Sequence, residues 1–418
     1  MKQRLLLILI FFQLALIANG QKVSHRTVNE YVTHVSFDNK FSGKSPAITF
    51  EKPVTSVSIR YEGLLEGTSI EAGDKKYRAY VDDHAEAGLQ ETALIIFDAA
   101  FSELRFSPGP GIKKIIHLSA IHAPTPSATA EERINNEDGC DEPEMILQSS
   151  WRQGLPAPTT SRSFSSTRNV IVHHAASDNS LTNFTNVVRN IYLFHTQDRG
   201  WSDIGYNYLI AQDGTIYSGR DPINGQQDQV IGAHFCGRNT GTMGVCLLGN
   251  LSLVTPTEEA LTSLNSLITW KILKDQLNAE GIASHPLNPE LPVIAGHRDG
   301  CSTQCPGNFT YPLLPGIRQR VQQTVDECLN PEEPDEPERF FAVGPNPAFT
   351  NLLNVRLPND VTPKDVFFTD LNGKPFTLPL TYFNESSMQL DLSDIPKGVY
   401  ILTIETPGFS TREKVIKN

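Results

Sequence analysis

The sequence predicts a multidomain protein: an α/β domain, with a mixed central β-sheet and flanking helices, between an N-terminal β-sandwich and a small C-terminal β-sandwich. Three observations predict this. The chain has 418 residues, too many for one ordinary domain. Two acidic, Pro-containing stretches, residues 124–144 and 330–339, divide it. The apolar pattern changes at each divide, from short strand-like runs to alternating strands and helices and back again.

The first 20 residues read as an export signal. Lys2 and Arg4 give a basic start, Leu5 to Ile17 an apolar core and Ala18-Asn19-Gly20 a small-residue end, with cleavage after Gly20. The apolar run is short for a membrane anchor, which needs roughly 20 residues, and no later stretch is long and apolar enough to span a bilayer. A net charge of −12 argues against a nucleic-acid partner, which requires basic patches.

Residues 21–123 should be all-β. Val57, Ile59 and Tyr61 alternate with Ser58 and Arg60, the period of a half-buried strand. Residues 93–97 and 112–121 are β-rich runs bounded by clusters such as Ser107-Pro108-Gly109-Pro110-Gly111. His84, His117 and His122 are scattered and form no catalytic cluster. The 124–144 linker carries Glu131, Glu132, Glu137, Asp138, Asp141, Glu142 and Glu144, too polar to build a core alone.

Residues 145–329 form the α/β domain. Val170-Ile171-Val172 is a buried strand ending in His173-His174. A helix near 182–196 places Phe184, Val187, Val188, Ile191 and Phe194 on one face. Gln212-Asp213-Gly214 marks a hairpin. Residues 243–248 are another buried strand. Thr255-Pro256-Thr257-Glu258 predicts a helix capped by Thr255 and running to Leu277. Residues 293–295 form a strand, and 311–329 contain a closing helix. In the second linker, Pro331, Pro334 and Pro337 are spaced among acids. Residues 340–418 are again short strands, with a turn at Asp370-Leu371-Asn372-Gly373-Lys374.

The chemistry centres on Gly296-His297-Arg298-Asp299-Gly300-Cys301-Ser302-Thr303-Gln304-Cys305-Pro306-Gly307. With His173, His297 and Cys305 it offers two nitrogens and a sulfur. Three protein ligands and an open fourth position are the arrangement of a catalytic Zn2+. Side chains alternate along a strand, so only one of His173 and His174 faces a given side. Taken singly, each residue has a blander reading: a buried histidine, or a disulfide cysteine. A structural site using Cys301 as fourth ligand is a further alternative. If Cys305 is a thiolate ligand, five cysteines remain, so one is free or pairs outside the chain. Cys236 and Cys246 can bridge if the intervening segment turns back.

The segments 170–176, 195–210, 232–249 and 296–307 resemble the peptidoglycan recognition protein and phage-lysozyme-type family of N-acetylmuramoyl-L-alanine amidases. That resemblance implies zinc ligands at His173, His297 and Cys305. It implies a catalytic tyrosine in Asp203-Ile204-Gly205-Tyr206-Asn207, at Tyr206, and an oxyanion helper at Thr303, where the family has Lys or Thr. Groove positions fall on His195, Arg199, Trp201 and His234. The expected reaction is hydrolysis of the amide joining N-acetylmuramic acid to L-alanine in peptidoglycan. The alternative is a non-catalytic peptidoglycan receptor, but such members usually lack the ligand cysteine. Residues 340–418 resemble the C-terminal sorting domain of the type IX secretion system. The carriers are Gly344-Pro345-Asn346-Pro347-Ala348, the 370–374 turn, Pro396-Lys397-Gly398-Val399-Tyr400 and Lys414-Val415-Ile416-Lys417. This implies export through the periplasm by partner secretion machinery, to the medium or the cell surface.

Overall fold

A computed structural model describes residues 23–37, 43–82, 88–125, 140–159, 161–330, 341–357, 363–384, 387–405 and 410–418. The export signal, and most of both linkers, lie outside the described residues. The chain forms two compact units, Met1–Leu329 and Asn330–Asn418.

In the first unit, seven antiparallel strands come first: β1 Val23–Asn29, β2 Val32–Phe37, β3 Ile48–Gly63, β4 Ser69–Ala72, β5 Lys75–Arg78, β6 Ile95–Ser107 and β7 Ile112–Ile121. Hydrogen bonds join them into one sheet of order β1-β2-β7-β3-β6-β4-β5, where the alternating runs led us to expect two stacked sheets. The reason lies in β3 and β6. These strands are 16 and 13 residues long, and their register shifts between Thr49 and Val54 and again between Val54 and Ser56. Such bulges bend strands, so one sheet curls around one core containing Ile48, Val57, Ile59, Phe97, Leu104 and Leu118.

The α/β region is built on a five-stranded sheet of β8 Asn169–His174, β9 Tyr208–Ile210, β10 Ile216–Ser218, β11 Thr242–Leu247 and β12 Ile294–Gly296, in the order β10-β9-β11-β8-β12. β9, β11, β8 and β12 run parallel, and β10 is the antiparallel edge. The sheet is covered on both faces, which is why its strands read as unbroken apolar runs. On one face, Val170, Val172 and Val245 pack with Leu264, Ile268, Ile317 and Val321 of helices α3 Glu258–Asp275 and α4 Leu314–Leu329; the short helix α1 Gln148–Trp151 and α2 Phe184–Leu193 contribute to the core on the other.

Two helix ends differ from expectation. α3 is capped by Thr257, whose hydroxyl accepts from the Ala260 amide; Thr255 and Pro256 precede the cap. α2 runs on into a π-helical turn, Phe194–Asp198. Such turns are rare and concentrate at functional sites.

The 124–144 stretch does not separate compact units. Leu94, Ile96 and Ile121 of the N-terminal sheet share a core with Ile191, Tyr192 and Leu193 of α2. Buried Asn190 accepts at Oδ1 from Thr55 Oγ1 (2.7 Å) and Ser56 Oγ (2.8 Å), and donates from Nδ2 to Asn186 O (2.8 Å). A disulfide from Cys140 to Cys328 joins the entry of the α/β region to the end of α4.

The second unit has two four-stranded antiparallel sheets. One contains β13 Ala342–Gly344, β14 Leu352–Arg356, β17 Leu380–Asn384 and β18 Ser387–Asp391; the other contains β15 Asp365–Asp370, β16 Pro375–Phe376, β19 Gly398–Glu405 and β20 Ser410–Lys417. They share one core, including Leu353, Val355, Leu390, Phe368, Leu402 and Val415. The Asp370–Lys374 turn forms because Asp370 Oδ1 accepts from the amides of Asn372 and Lys374, with Gly373 at φ +81°.

Buried hydroxyls left without an acceptor destabilise a fold. Asn190→Ala takes the acceptor from the buried Ser56 hydroxyl, whereas Thr55 keeps Ile121 O at 3.1 Å, and is expected to lower the unfolding free energy by about 1–3 kcal/mol. Urea titration of residues 21–329 checks this, and should show the N-terminal sheet and the α/β region melting in one transition.

Candidate metal centre and its surroundings

β8 lies between β11 and β12, and His173 lies near its C-terminal end, directly beside Cys246 of β11. Ligands in open α/β sheets bind outside the carboxyl ends of strands. The ring of His174 goes to the opposite side, where its Nδ1 accepts from the Leu251 amide (3.0 Å). β12 ends at Gly296, and the next residue is His297, so the adjacent strands β8 and β12 bring the two histidines together. Their ring centroids are 4.6 Å apart.

Cys305 is brought to them by the loop after β12. The Arg298 amide donates to Cys305 O (3.0 Å), and Asp299 Oδ2 accepts from the Gly296 amide (2.8 Å). The donor atoms of His173, His297 and Cys305 all lie within 4.8 Å of one another, and all three residues are buried. The Cys305 sulfur is 3.6 Å from His173 Nδ1 and receives the His174 amide at 3.3 Å. The thiolate is the form of cysteine that binds metal. Two imidazoles and a cysteine sulfur fit Zn2+ as a three-ligand set.

His173 has a further partner that spacing alone does not reveal. Its Nε2 lies 3.0 Å from Nδ1 of His234, whose Nε2 lies 3.4 Å from Thr242 Oγ1; that hydroxyl donates to Asn239 O (2.8 Å). A metal held at His173 Nδ1 would leave the proton on Nε2, placed to donate to His234 Nδ1. The same sense then runs on to Thr242 and Asn239. Such outer partners fix the tautomer and direction of a ligand. Space for the His234 ring comes from Gly232 and Gly244, where a Cβ would approach it to 2.6 Å.

Tyr206 is buried, with its ring centroid 5.3 Å from that of His173. Its neighbours aim it. Asp203 accepts from Arg162, Gln148 and the amides of Ile204 and Asp221; Asn207 accepts from the Gly244 amide and donates to Val230 O. The polar ends of the Asp203–Asn207 motif are thus spent on scaffold, and its tyrosine is turned toward the metal residues. Burial raises the Tyr206 pKa well above its ordinary value. Burial likewise raises the Cys246 thiol, which hydrogen-bonds Tyr206.

The remaining expected residues divide. The Thr303 hydroxyl accepts from the Cys305 amide (3.1 Å), beside the sulfur. His195 stacks on half-buried Trp201 at 4.5 Å, and its Nδ1 accepts from the Gly205 amide. Arg199 does not open toward a groove: its guanidinium pairs with Asp82 and Glu91 of the N-terminal region.

The cysteine pairing corrects one expectation. Cys236 bonds Cys301 rather than Cys246. Cys246 sits within β11 with its thiol packed among the buried residues of the α2 face, whereas Cys236 and Cys301 lie on the two loops that flank the site. A fourth metal ligand from Cys301 is excluded by the same bond. Cys246 is the odd cysteine left over.

Residues 163–308 match the N-acetylmuramoyl-L-alanine amidase family model, and residues 342–418 match that of the secretion system C-terminal sorting domain. The chain is 30% identical over 166 residues to peptidoglycan-recognition protein SC2 of Drosophila simulans, covering 39% of this chain and 80% of that protein. It is 30% identical over 173 residues to mouse peptidoglycan recognition protein 1, covering 41% and 85%. Human N-acetylmuramoyl-L-alanine amidase is 32% identical over 127 residues, which span 30% of this chain but only 19% of that enzyme. Among solved structures, an N-acetylmuramoyl-L-alanine amidase endolysin of Clostridium intestinale matches at 26% identity with a TM-score of 0.33, over 45% of this chain and 98% of that one. The chain belongs to the family of N-acetylmuramoyl-L-alanine amidases and peptidoglycan recognition proteins. It ends in a secretion sorting domain.

Because His234 acts on His173, His234→Ala should weaken zinc binding by about 10–100-fold. Competition titration against a chromophoric chelator measures this; an unchanged affinity would remove His234 from the metal's support.

Proposed function

We propose that this protein is a zinc-dependent N-acetylmuramoyl-L-alanine amidase, exported through its N-terminal signal and its type IX sorting domain to act on peptidoglycan outside the cytoplasm. The observation that carries the proposal is the convergence of His173, His297 and Cys305 within 4.8 Å. Receptor members of the family usually lack that cysteine, and here it is present.

His173, His297 and Cys305 would hold the ion. Zinc bound to three protein groups supplies a Lewis acid and a water acidified to near pH 7. The chain's own residues do the rest. Tyr206, a protonated phenol at neutral pH, would donate to the scissile carbonyl oxygen. Thr303 offers its hydroxyl proton to the same oxygen as negative charge develops. Thr303 brings a dipole and no net charge, so its share is smaller than a lysine's. The stacked His195 and Trp201 provide a flat face for the sugar or stem peptide. His234 keeps His173 in the ligand tautomer.

Incubation with purified sacculi should release new L-alanine amino termini, and chelation should stop that release. Cys305→Ala should lose metal and activity together. His174→Ala should keep measurable activity, because its ring faces away. Tyr206→Phe should keep the metal and lose about 100-fold in kcat, the cost of one oxyanion donor. Binding of sacculi with no new amino termini from zinc-loaded protein would overturn the enzyme reading in favour of a receptor.

A further inference from the structure

The N-terminal sheet grips the π-helical turn and the residue after it at three consecutive positions. Asn29 Nδ2 donates to Gln197 O at 3.0 Å, and His34 Nε2 meets Asp198 Oδ1 at 2.8 Å. Arg199 is then held by two carboxylates. Its Nη2 is shared between Asp82 Oδ2 and Glu91 Oε2, the latter at 2.8 Å. The side chains of Arg199, Asp82 and Glu91 are 7%, 8% and 3% exposed, so this is an ion triad shut off from solvent. The two acids are themselves fixed to each other, because the Asp82 amide donates to Glu91 O at 2.9 Å. Arg60 lies 3.6 Å from the other Glu91 oxygen.

The guanidinium in turn borders the site. It stands over the Phe194 ring at 4.4 Å and 5.5 Å from the Trp201 ring. Trp201 stacks on His195, its amide donates to His195 O, and His195 Nδ1 accepts from the amide of Gly205, the residue before Tyr206. A continuous set of contacts therefore runs from the N-terminal sheet to the backbone that carries Tyr206. A guanidinium held by two buried carboxylates is fixed in one orientation and offers little net charge to a ligand.

We infer that Asp82 and Glu91 are positioning residues for the substrate side of the site, acting through Arg199 on the Trp201–His195 face. This rests on the amidase reading for its substrate. The N-terminal sheet is then a brace that sets the shape of the groove wall, and Arg199 is withdrawn from contact with substrate carboxylates.

The test uses the full mature chain loaded with zinc, with 5-fluorotryptophan incorporated and the Trp201 signal assigned by Trp201→Phe. In Asp82→Asn/Glu91→Gln, the Trp201 fluorine resonance should shift and broaden. KM for a soluble muropeptide should rise about tenfold, with kcat and zinc stoichiometry within about twofold of the parent. A folded, zinc-loaded variant with an unmoved Trp201 signal and unchanged KM would overturn the inference. So would an equal fall in kcat and zinc content, which marks a general loss of structure. Should the double variant not fold, Asp82→Asn alone is read by the same two signals. If the parent cleaves nothing, the amidase reading fails; the Trp201 resonance and muropeptide binding, parent against variant, still decide whether the brace exists.

Discussion

One hydrogen bond, from the amide of His174 to the sulfur of Cys305, joins two points 131 residues apart in the chain. It ties the end of β8 to the loop beyond its neighbour β12. That loop carries both remaining metal-ligand candidates, so its position against β8 decides whether three donor atoms meet. The surrounding structure reads as support for this contact. The Arg298 amide closes the loop on Cys305 O, Asp299 closes it on Gly296, and the Cys236–Cys301 disulfide joins it to the loop carrying His234. Parallel strands give the arrangement its direction: β8 and β12 end on the same side, and each hands its next residue to the same place.

The candidate centre was legible because it is written in local motifs. The His173-His174 pair ends an apolar run, and Gly296 to Gly307 holds an imidazole and a thiol at short spacing. The central sheet was legible for a related reason, since strands buried on both faces leave unbroken apolar runs. The α3 cap was misread by two residues because Thr255 and Thr257 both suit a cap, and only the Ala260 amide chooses between them. The cysteine pairing was not legible, because it depends on which loops flank the site. The single N-terminal sheet was missed because register shifts that bend β3 and β6 leave no mark in alternation.

The role of His234 shows how sequence motifs understate a site. Its place in a motif pointed to a groove, whereas its ring lies against His173, in space left by two glycines. Arg199 is a parallel case: a cation beside an aromatic reads as a ligand contact until its two buried carboxylates are seen. Those carboxylates come from Asp82 and Glu91, in a region with no motif of its own. The N-terminal sheet and the α/β region share a core and buried hydrogen bonds, so the acidic stretch between them does not divide compact units.

The centre is defined by how many sulfurs reach the metal. X-ray absorption at the zinc edge of the loaded protein measures this directly. One sulfur at about 2.3 Å and imidazole nitrogens at about 2.0–2.1 Å are expected, with the sulfur contribution lost in Cys305→Ala. Two or more sulfurs, or none, in the unaltered protein would contradict a centre of His173, His297 and Cys305.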